Sequence, residues 1–416
     1  MLSSYRKSSR VRTAVAGACA AATLAAVPTG IVFGAQTYVT PQAELRVENN
    51  DNFDLTPDGS SDSDVFGYIA DLQALIGIAT PRSDTSIRPR IRLQEYPDRE
   101  DIEKLEAFFD LRSKYEWERS DLLTLARYSR QDSYNADRQS GEFDPLNPED
   151  PDVLDSSQTL VGETRTRVEL RPTFTHSLTE RTRLGILAEY QAVRYDSDGP
   201  DEQTDYDYLL GQGFVSWALD PRSDLSVGAY AAKYEATDDS SETDTLGGSV
   251  GYAYRWSEVA GLQTELFYEE NDITDFFPVA AEETTSGWGG TATAYWTGEV
   301  SETRISVGRT FAPTGSGGKS EVDQLRVQYD RDLSERLSFL GAARYQQRNS
   351  LSTSGQDNDR DFARVDLSLK WFFDPTWFVQ GGYSYIWEDR ESASGSADNN
   401  KLFLSVGYKG LARQRR

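Results

Sequence analysis

Three groups of residues in this chain are of types that do chemistry, and their spacing decides what each can do. The first is a lone histidine. His176 is the only one in 416 residues and falls in 175–182, a stretch read as a turn. A serine–histidine hydrolase needs its imidazole beside a nucleophile and oriented by an acid. No nucleophile is marked out near His176, so an exposed turn residue is expected and no catalytic residue is assigned. The second group is the 68 Asp and Glu, set against 43 Lys and Arg. At that density, adjacency in sequence carries no information. Asp238-Asp239 and the series Asp357, Asp359, Asp361 offer oxygen ligands suited to calcium, but neither has the spacing of a calcium loop, and no metal or cofactor is expected. The third group is arginine. Arg88-x-Arg90-x-Arg92 and Arg165-x-Arg167-x-x-x-Arg171 set guanidinium groups on one residue parity in a chain of net charge −25. Alternate residues of a strand share a face, so each run forms a basic ladder.

Strands are what the sequence supplies to position them. In 361–373, Ala363, Val365, Leu367, Leu369, Trp371 and Phe373 alternate with Arg364, Asp366, Ser368 and Lys370. Asp374-Pro375 turns the chain, and 377–387 answers with Val379, Tyr383 and Tyr385 between two tryptophans. Leu402, Leu404, Val406 and Tyr408 repeat the pattern near the end. Period-two alternation over about ten residues with aromatic ends suits a strand that crosses a bilayer. The same pattern recurs at 39–48, 66–78, 86–96, 107–117, 122–131, 160–174, 183–195, 206–219, 224–234, 246–256, 262–269, 286–297, 303–311, 322–330 and 337–347. The fold class read from this is all-β: an antiparallel up-and-down transmembrane barrel of about eighteen strands. Short connections (81–85, 118–121, 177–182, 220–223, 257–261, 298–302, 333–336, 374–376) alternate with long acidic or Gly/Ser-rich ones such as 132–158. Sorting of loops by length is a property of outer-membrane barrels, with short turns on the periplasmic side. A soluble β-sandwich has no reason to show it.

The start reads as a secretory leader, and the chain divides into 1–35, signal peptide, and 36–416, barrel. Arg6, Lys7, Arg10 and Arg12 precede a small apolar run at 13–27. That run is short for a membrane span and Pro28 interrupts it. The only cysteine, Cys19, lies inside it, so the mature chain has no disulfide or thiolate chemistry. The acidic balance argues against nucleic acid, which requires a basic footprint.

With the apolar parity turned to lipid, the lumen receives Arg88, Arg90, Arg92, Arg112, Arg165, Arg167, Arg171, Arg364 and Lys370. These are the candidate substrate contacts, because rings of Arg and Lys favour anions in pores. The competing reading is that the same arginines pair across strands with Asp110, Glu169 and Glu189 and stiffen the wall.

The chain resembles the outer-membrane β-barrel porins of Gram-negative bacteria that are linked to exopolysaccharide synthesis and export. The resemblance is carried by residues 38–52 (YVTPQAELRVENNDN), the turn Trp371-Phe372-Phe373-Asp374-Pro375 and the ending Phe403-Leu404-Ser405-Val406-Gly407-Tyr408. It implies an outer-membrane location and a porin-like conduit, either for export of an anionic exopolysaccharide or for diffusion of anionic solutes. It also implies contact with outer-membrane lipid, lipopolysaccharide, the barrel-assembly machinery and periplasmic export components. The alternative from another class is a structural or adhesive surface barrel whose acidic loops bind divalent ions, lipopolysaccharide or partner cells. The basic tail after Tyr408 departs from the usual aromatic terminus of such barrels.

Overall fold

The computed structural model describes residues 35–57, 64–97, 99, 105–133, 135, 143–144, 147–151, 163–196, 203–238, 240–276, 281–315, 318–351, 359–390, 395–411 and 413–415. Apart from Ala35, the expected leader lies outside the described residues, as does most of the acidic connection 132–158.

Eighteen strands build the wall: β1 (Gln36–Asn50), β2 (Val65–Ala79), β3 (Ser83–Glu95), β4 (Leu105–Glu116), β5 (Ser120–Asp132), β8 (Thr164–Ser177), β9 (Thr182–Asp196), β10 (Tyr206–Asp220), β11 (Ser223–Ala236), β12 (Ser241–Ser257), β13 (Ala260–Asp275), β14 (Ala281–Thr297), β15 (Ser301–Thr314), β16 (Gly318–Asp332), β17 (Leu337–Ser350), β18 (Arg360–Phe372), β19 (Trp377–Arg390) and β20 (Ala397–Lys409). Two further strands, β6 (Phe143–Asp144) and β7 (Asn147–Pro151), pair only with each other between β5 and β8. Each wall strand is antiparallel to the next. β1 pairs with β20 from Gln42–Lys409 to Asn50–Lys401, which closes the sheet into a barrel. Closure pairs β1 and β20, the two strands that would otherwise be the outer edges of the sheet.

Every expected strand is present, and most are longer than the alternation alone indicated. The segment expected at 262–269 runs Ala260–Asp275, and that at 286–297 runs Ala281–Thr297. The excess lies at the long-loop end. There both faces meet water or inward-folded loops, so polar residues occupy both parities and the period-two signal stops while the hydrogen-bond ladder continues. The segment expected from residue 160 starts at Thr164.

Parity divides the wall as expected. Leu45, Leu72, Leu93, Leu209, Val250, Leu266 and Leu404 are exposed on the outer face, while Ser249, Asn271, Ser306, Ser368 and Ser405 are buried on the inner one. A layer of exposed leucine and valine around a polar interior is the inverse of a soluble protein, and it fits a hydrocarbon solvent. At the short-turn end aromatic side chains meet in tilted pairs: Tyr115 with Trp117 at 4.5 Å, Trp371 with Phe373 at 5.9 Å and Trp377 with Tyr408 at 5.2 Å. Amphipathic rings at one level mark a membrane interface. Tyr408 thus joins this girdle although it is not the last residue. Beyond it, β21 (Arg413–Arg415) continues the closing seam by pairing with Thr37–Val39.

His176 is corrected from a turn to the end of β8, where its Nδ1 lies 2.8 Å from Ser120 Oγ. The neighbouring Asp121 instead accepts a hydrogen bond from Thr175 at 2.7 Å. Among the described residues, no carboxylate hydrogen-bonds the imidazole.

Candidate functional site

The register of β3, β4, β5 and β8 sets Arg88, Asp110, Arg127 and Glu169 directly opposite one another on four neighbouring strands. All four project into the lumen, and their signs alternate. Arg88 meets Asp110 at 2.9 Å, Arg127 meets Asp110 at 3.4 Å, and Arg127 approaches Glu169 at 3.9 Å. Opposite charges directly across a strand pair stabilise the sheet. One row higher, Arg90 pairs with Asp71 at 2.6 Å, and Arg92 reaches both Asp71 and Glu106 at 3.3 Å. Arg167 binds Glu169 at 3.0 Å, and Arg171 faces Glu189 at 3.7 Å. The first basic ladder is therefore met by carboxylates of β2 and β4, while in the second Arg167 is met by Glu169 of its own strand and Arg171 by Glu189 of β9.

On the other wall the pattern reverses. Arg326, Arg344 and Arg364 face one another in register across β16, β17 and β18, and Arg348, Arg360 and Arg390 form a second such row nearer the long-loop end. Carboxylates serve these rows from β18 and β19, where Arg390 binds Glu388. Arg364 binds Asp366 at 2.7 Å and Arg360 binds Glu388 at 2.7 Å. Phe362 lies between the two rows, its ring 4.9 Å from the Arg344 guanidinium and 5.0 Å from that of Arg360. An aromatic face supports a cation without neutralising it.

The two walls meet at a chamber of ≈ 150 Å³ inside the barrel, near the closing seam. Arg364 and Lys401 enter it from one side, Arg90 and Arg92 from the other, and Arg46 lies between them, with Glu44, Glu48 and Asp71 completing its charged lining. The space suits one small carboxylate or about five waters, at the volume each water takes in the liquid. Its roof comes from the first long connection, which folds inward. Phe53 is 1% exposed and packs edge-on against Tyr96 at 5.2 Å. Arg99 holds it from above, 5.3 Å over the ring, while bound to Asp54 at 2.6 Å. Leu55, in the left-handed region at φ 49°, packs on Phe362, Ile386 and Ala397 across the seam. The Tyr96 hydroxyl donates to Glu48 at 2.8 Å and keeps that carboxylate turned into the wall.

Of the residues expected to contact substrate, Arg90, Arg92 and Arg364 line the chamber. Arg88, Arg167 and Arg171 belong to the alternating wall, and Arg165 is buried beside it on β8. Arg112 sits on β4 opposite Ser86, toward the short turns, and Lys370 lies 4.6 Å over the Phe378 ring at the same end. Sequence reasoning missed Lys401, Phe53 and Tyr96 as chamber residues. Lys401 precedes the last alternating run, but the signal that loop 51–57 turns inward exists only in its tertiary contacts.

No family model and no curated protein matches the chain. Among solved structures of outer-membrane porins, the barrel is similar to OccAB3 of Acinetobacter baumannii, at 10% identity over 91% of this chain and 99% of that one, with a TM-score of 0.44. It is similar in the same degree to OpdK of Pseudomonas aeruginosa, solved with vanillate (12% identity, 90% and 99%, TM-score 0.44), and to OccK2 (OpdF) of the same organism in complex with glucuronate (11%, 90% and 98%, 0.44). The architecture described above rests on this chain's own strand ladder.

Proposed function

We propose that this barrel is an outer-membrane channel that admits small anionic solutes, and that the chamber of Arg46, Arg90, Arg92, Arg364 and Lys401 is where it selects them. The observation that carries the reading is the arginine row Arg326–Arg344–Arg364, whose last member enters that chamber. Like charges placed directly opposite across strands cost stability. A wall that keeps them concentrates positive potential on one side of the lumen, where rings of Arg and Lys attract anions. Every lining carboxylate is already engaged by a cation of the wall: Asp71 by Arg90, Glu44 by Arg46 at 3.0 Å and Glu48 by Lys401 at 3.9 Å. An incoming carboxylate therefore meets donors whose acidic partners are held against the strands. The bidentate geometry of guanidinium suits a carboxylate better than a halide.

Export of a polysaccharide gains no support. The chamber has the size of a single small solute, and the inward fold of Phe53–Leu55 narrows the mouth above it.

Reversal potentials across planar bilayers under a salt gradient test the reading. The purified barrel should pass chloride and acetate in preference to potassium, and Arg364→Gln with Arg92→Gln should reduce that preference. A folded barrel that conducts with cation preference, unchanged by both substitutions, would refute it.

A further inference from the structure

The ladder between β14 and β15 covers only half of β14. It runs from Thr297–Glu302 to Gly290–Arg309 and stops, whereas β13 remains paired with β14 up to Ala281 and β15 with β16 up to Thr314. Above the parting, the end of the β15–β16 hairpin has moved inside the barrel. Side-chain parity shows this. Phe311 and Lys319 occupy positions of the lipid-facing parity, the one shared by Ile305, Val307 and Leu325. Yet both meet lumen-facing residues of β12, β13 and β14. The Phe311 ring lies 6.1 Å from that of Phe267 and covers Gly287. Lys319 Nζ donates to Glu269 at 2.7 Å, to Asn271 at 2.9 Å and to Thr245 at 3.1 Å. The tip is anchored on the far side as well. Tyr234 donates to the Thr314 carbonyl at 3.3 Å, and the Thr204 amide donates to the Gly315 carbonyl at 2.7 Å. Beneath the tip lies a sealed patch of Val193, Tyr206, Tyr208 and Tyr234.

We propose that the β15–β16 hairpin is a gate with two seats: the tucked seat seen here, latched by Lys319 on Glu269, and a raised seat in which the β14–β15 ladder closes to its full height. The raised seat follows from the register. Continuing past Gly290–Arg309 sets Gly289 against Thr310 and Trp288 against Phe311. Phe311 then stands on the outer face beside Trp288, which is 72% exposed and already paired with Tyr268 at 5.1 Å. Lys319 turns outward to the water and headgroups above. Both side chains that latch the tucked seat thus have a suitable environment in the other. At the point of parting the two backbones approach closely, since a Cβ on Gly308 would lie 2.7 Å from the Gly290 carbonyl oxygen. The tucked seat also leaves the Thr285 and Thr310 hydroxyls, one on each parted strand, buried without a hydrogen bond among the described residues. Packed elements with two discrete arrangements are the usual basis of switching. This gate sets how much of the lumen is open, and it does not depend on which solute the chamber selects.

Two cysteine pairs and one latch variant test it in the full-length barrel, with heat-resistant electrophoretic migration as the check on folding. Lys319→Met should raise single-channel conductance roughly two-fold, since pore dimensions govern flow through such a lumen, while the anion-to-cation permeability ratio stays at the parent value. Trp288→Cys with Phe311→Cys should form a disulfide on mild oxidation and hold the high level, because the two positions are opposite only in the raised seat. Thr245→Cys with Lys319→Cys, bridged by a short bifunctional thiosulfonate, should hold the low level until dithiothreitol is added. If the 288–311 disulfide never forms and the latch variant conducts like the parent, the gate is refuted while anion selectivity can still stand. If selectivity is absent but the disulfide forms and fixes the conductance, the gate stands and the anion reading falls.

Discussion

Arg344 and Arg364 sit directly opposite each other on β17 and β18, both facing the lumen, and Arg326 continues the row on β16. Replacing the middle residue separates its structural cost from its electrostatic use. Arg344→Glu turns three like charges into an alternating series of the kind that β3 to β8 carry. Each new cross-strand pair should add about 0.2–1 kcal/mol to the barrel, read as a higher unfolding midpoint in urea. The same variant should lose anion preference in reversal-potential measurements. A barrel that gains stability and keeps its selectivity would show that the row is not part of the selective path.

How much of this was legible in the sequence follows from which interactions are local. Strand positions and parity were, because alternation is written within about ten residues. The arginine row was legible only in part. Parity within 322–330, 337–347 and 361–373 turns Arg326, Arg344 and Arg364 to the lumen one by one, but their alignment depends on two hairpin registers that turn chemistry and loop length set together. The same holds for Arg88 with Asp110 and Arg127 with Glu169. The tucked hairpin was hidden for a different reason. Phe311 and Lys319 keep the outward parity of their strands, so their pattern is that of wall residues, and only the parting of β14 from β15 places them inside.

The roof of the chamber gives a second test. Phe53 is enclosed by Tyr96, Val65 and Arg99. Phe53→Ala removes a buried ring, a change that costs about 3–5 kcal/mol in a packed core. Because loop 51–57 lies off the wall ladder, the cost should appear as local opening and not as loss of the barrel. Amide exchange should accelerate at Asp51–Leu55 while β1 and β2 stay protected, and the chamber should admit larger carboxylates. Global unfolding at a lower denaturant concentration would mean that the loop is integral to the wall.

The turn between β18 and β19 carries an acid that titrates below its usual range. The Thr376 hydroxyl donates to Asp374 at 2.7 Å and the Thr376 amide at 3.0 Å, and both hold the carboxylate in its charged form. A depressed folded value means that the turn's extra stability is present above the unfolded value, about 3.9, and is lost as pH falls through the folded one. Thr376→Val should move the carboxyl titration of Asp374 back toward 3.9, as read by carbon NMR of the barrel in detergent. An unmoved titration would assign the depression to another group.

The outer wall gives the test that does not depend on any solute. Leu266 lies midway along β13 opposite Val250, and both are exposed on the outer face. In water an exposed leucine tolerates a charge at little cost. In hydrocarbon, arginine at the midplane of a barrel strand costs about 2–4 kcal/mol, falling toward zero near the interfaces. Leu266→Arg should therefore destabilise the barrel folded into lipid vesicles by that amount. The same change at Trp256, exposed at the short-turn end of β12 and level with the aromatic girdle, should be far milder, because arginine there reaches the headgroup layer. The ratio of the two effects reports depth directly. Equal effects at both positions would mean that the exposed leucine layer does not face lipid, and the membrane orientation drawn from parity and the aromatic girdle would have to be abandoned.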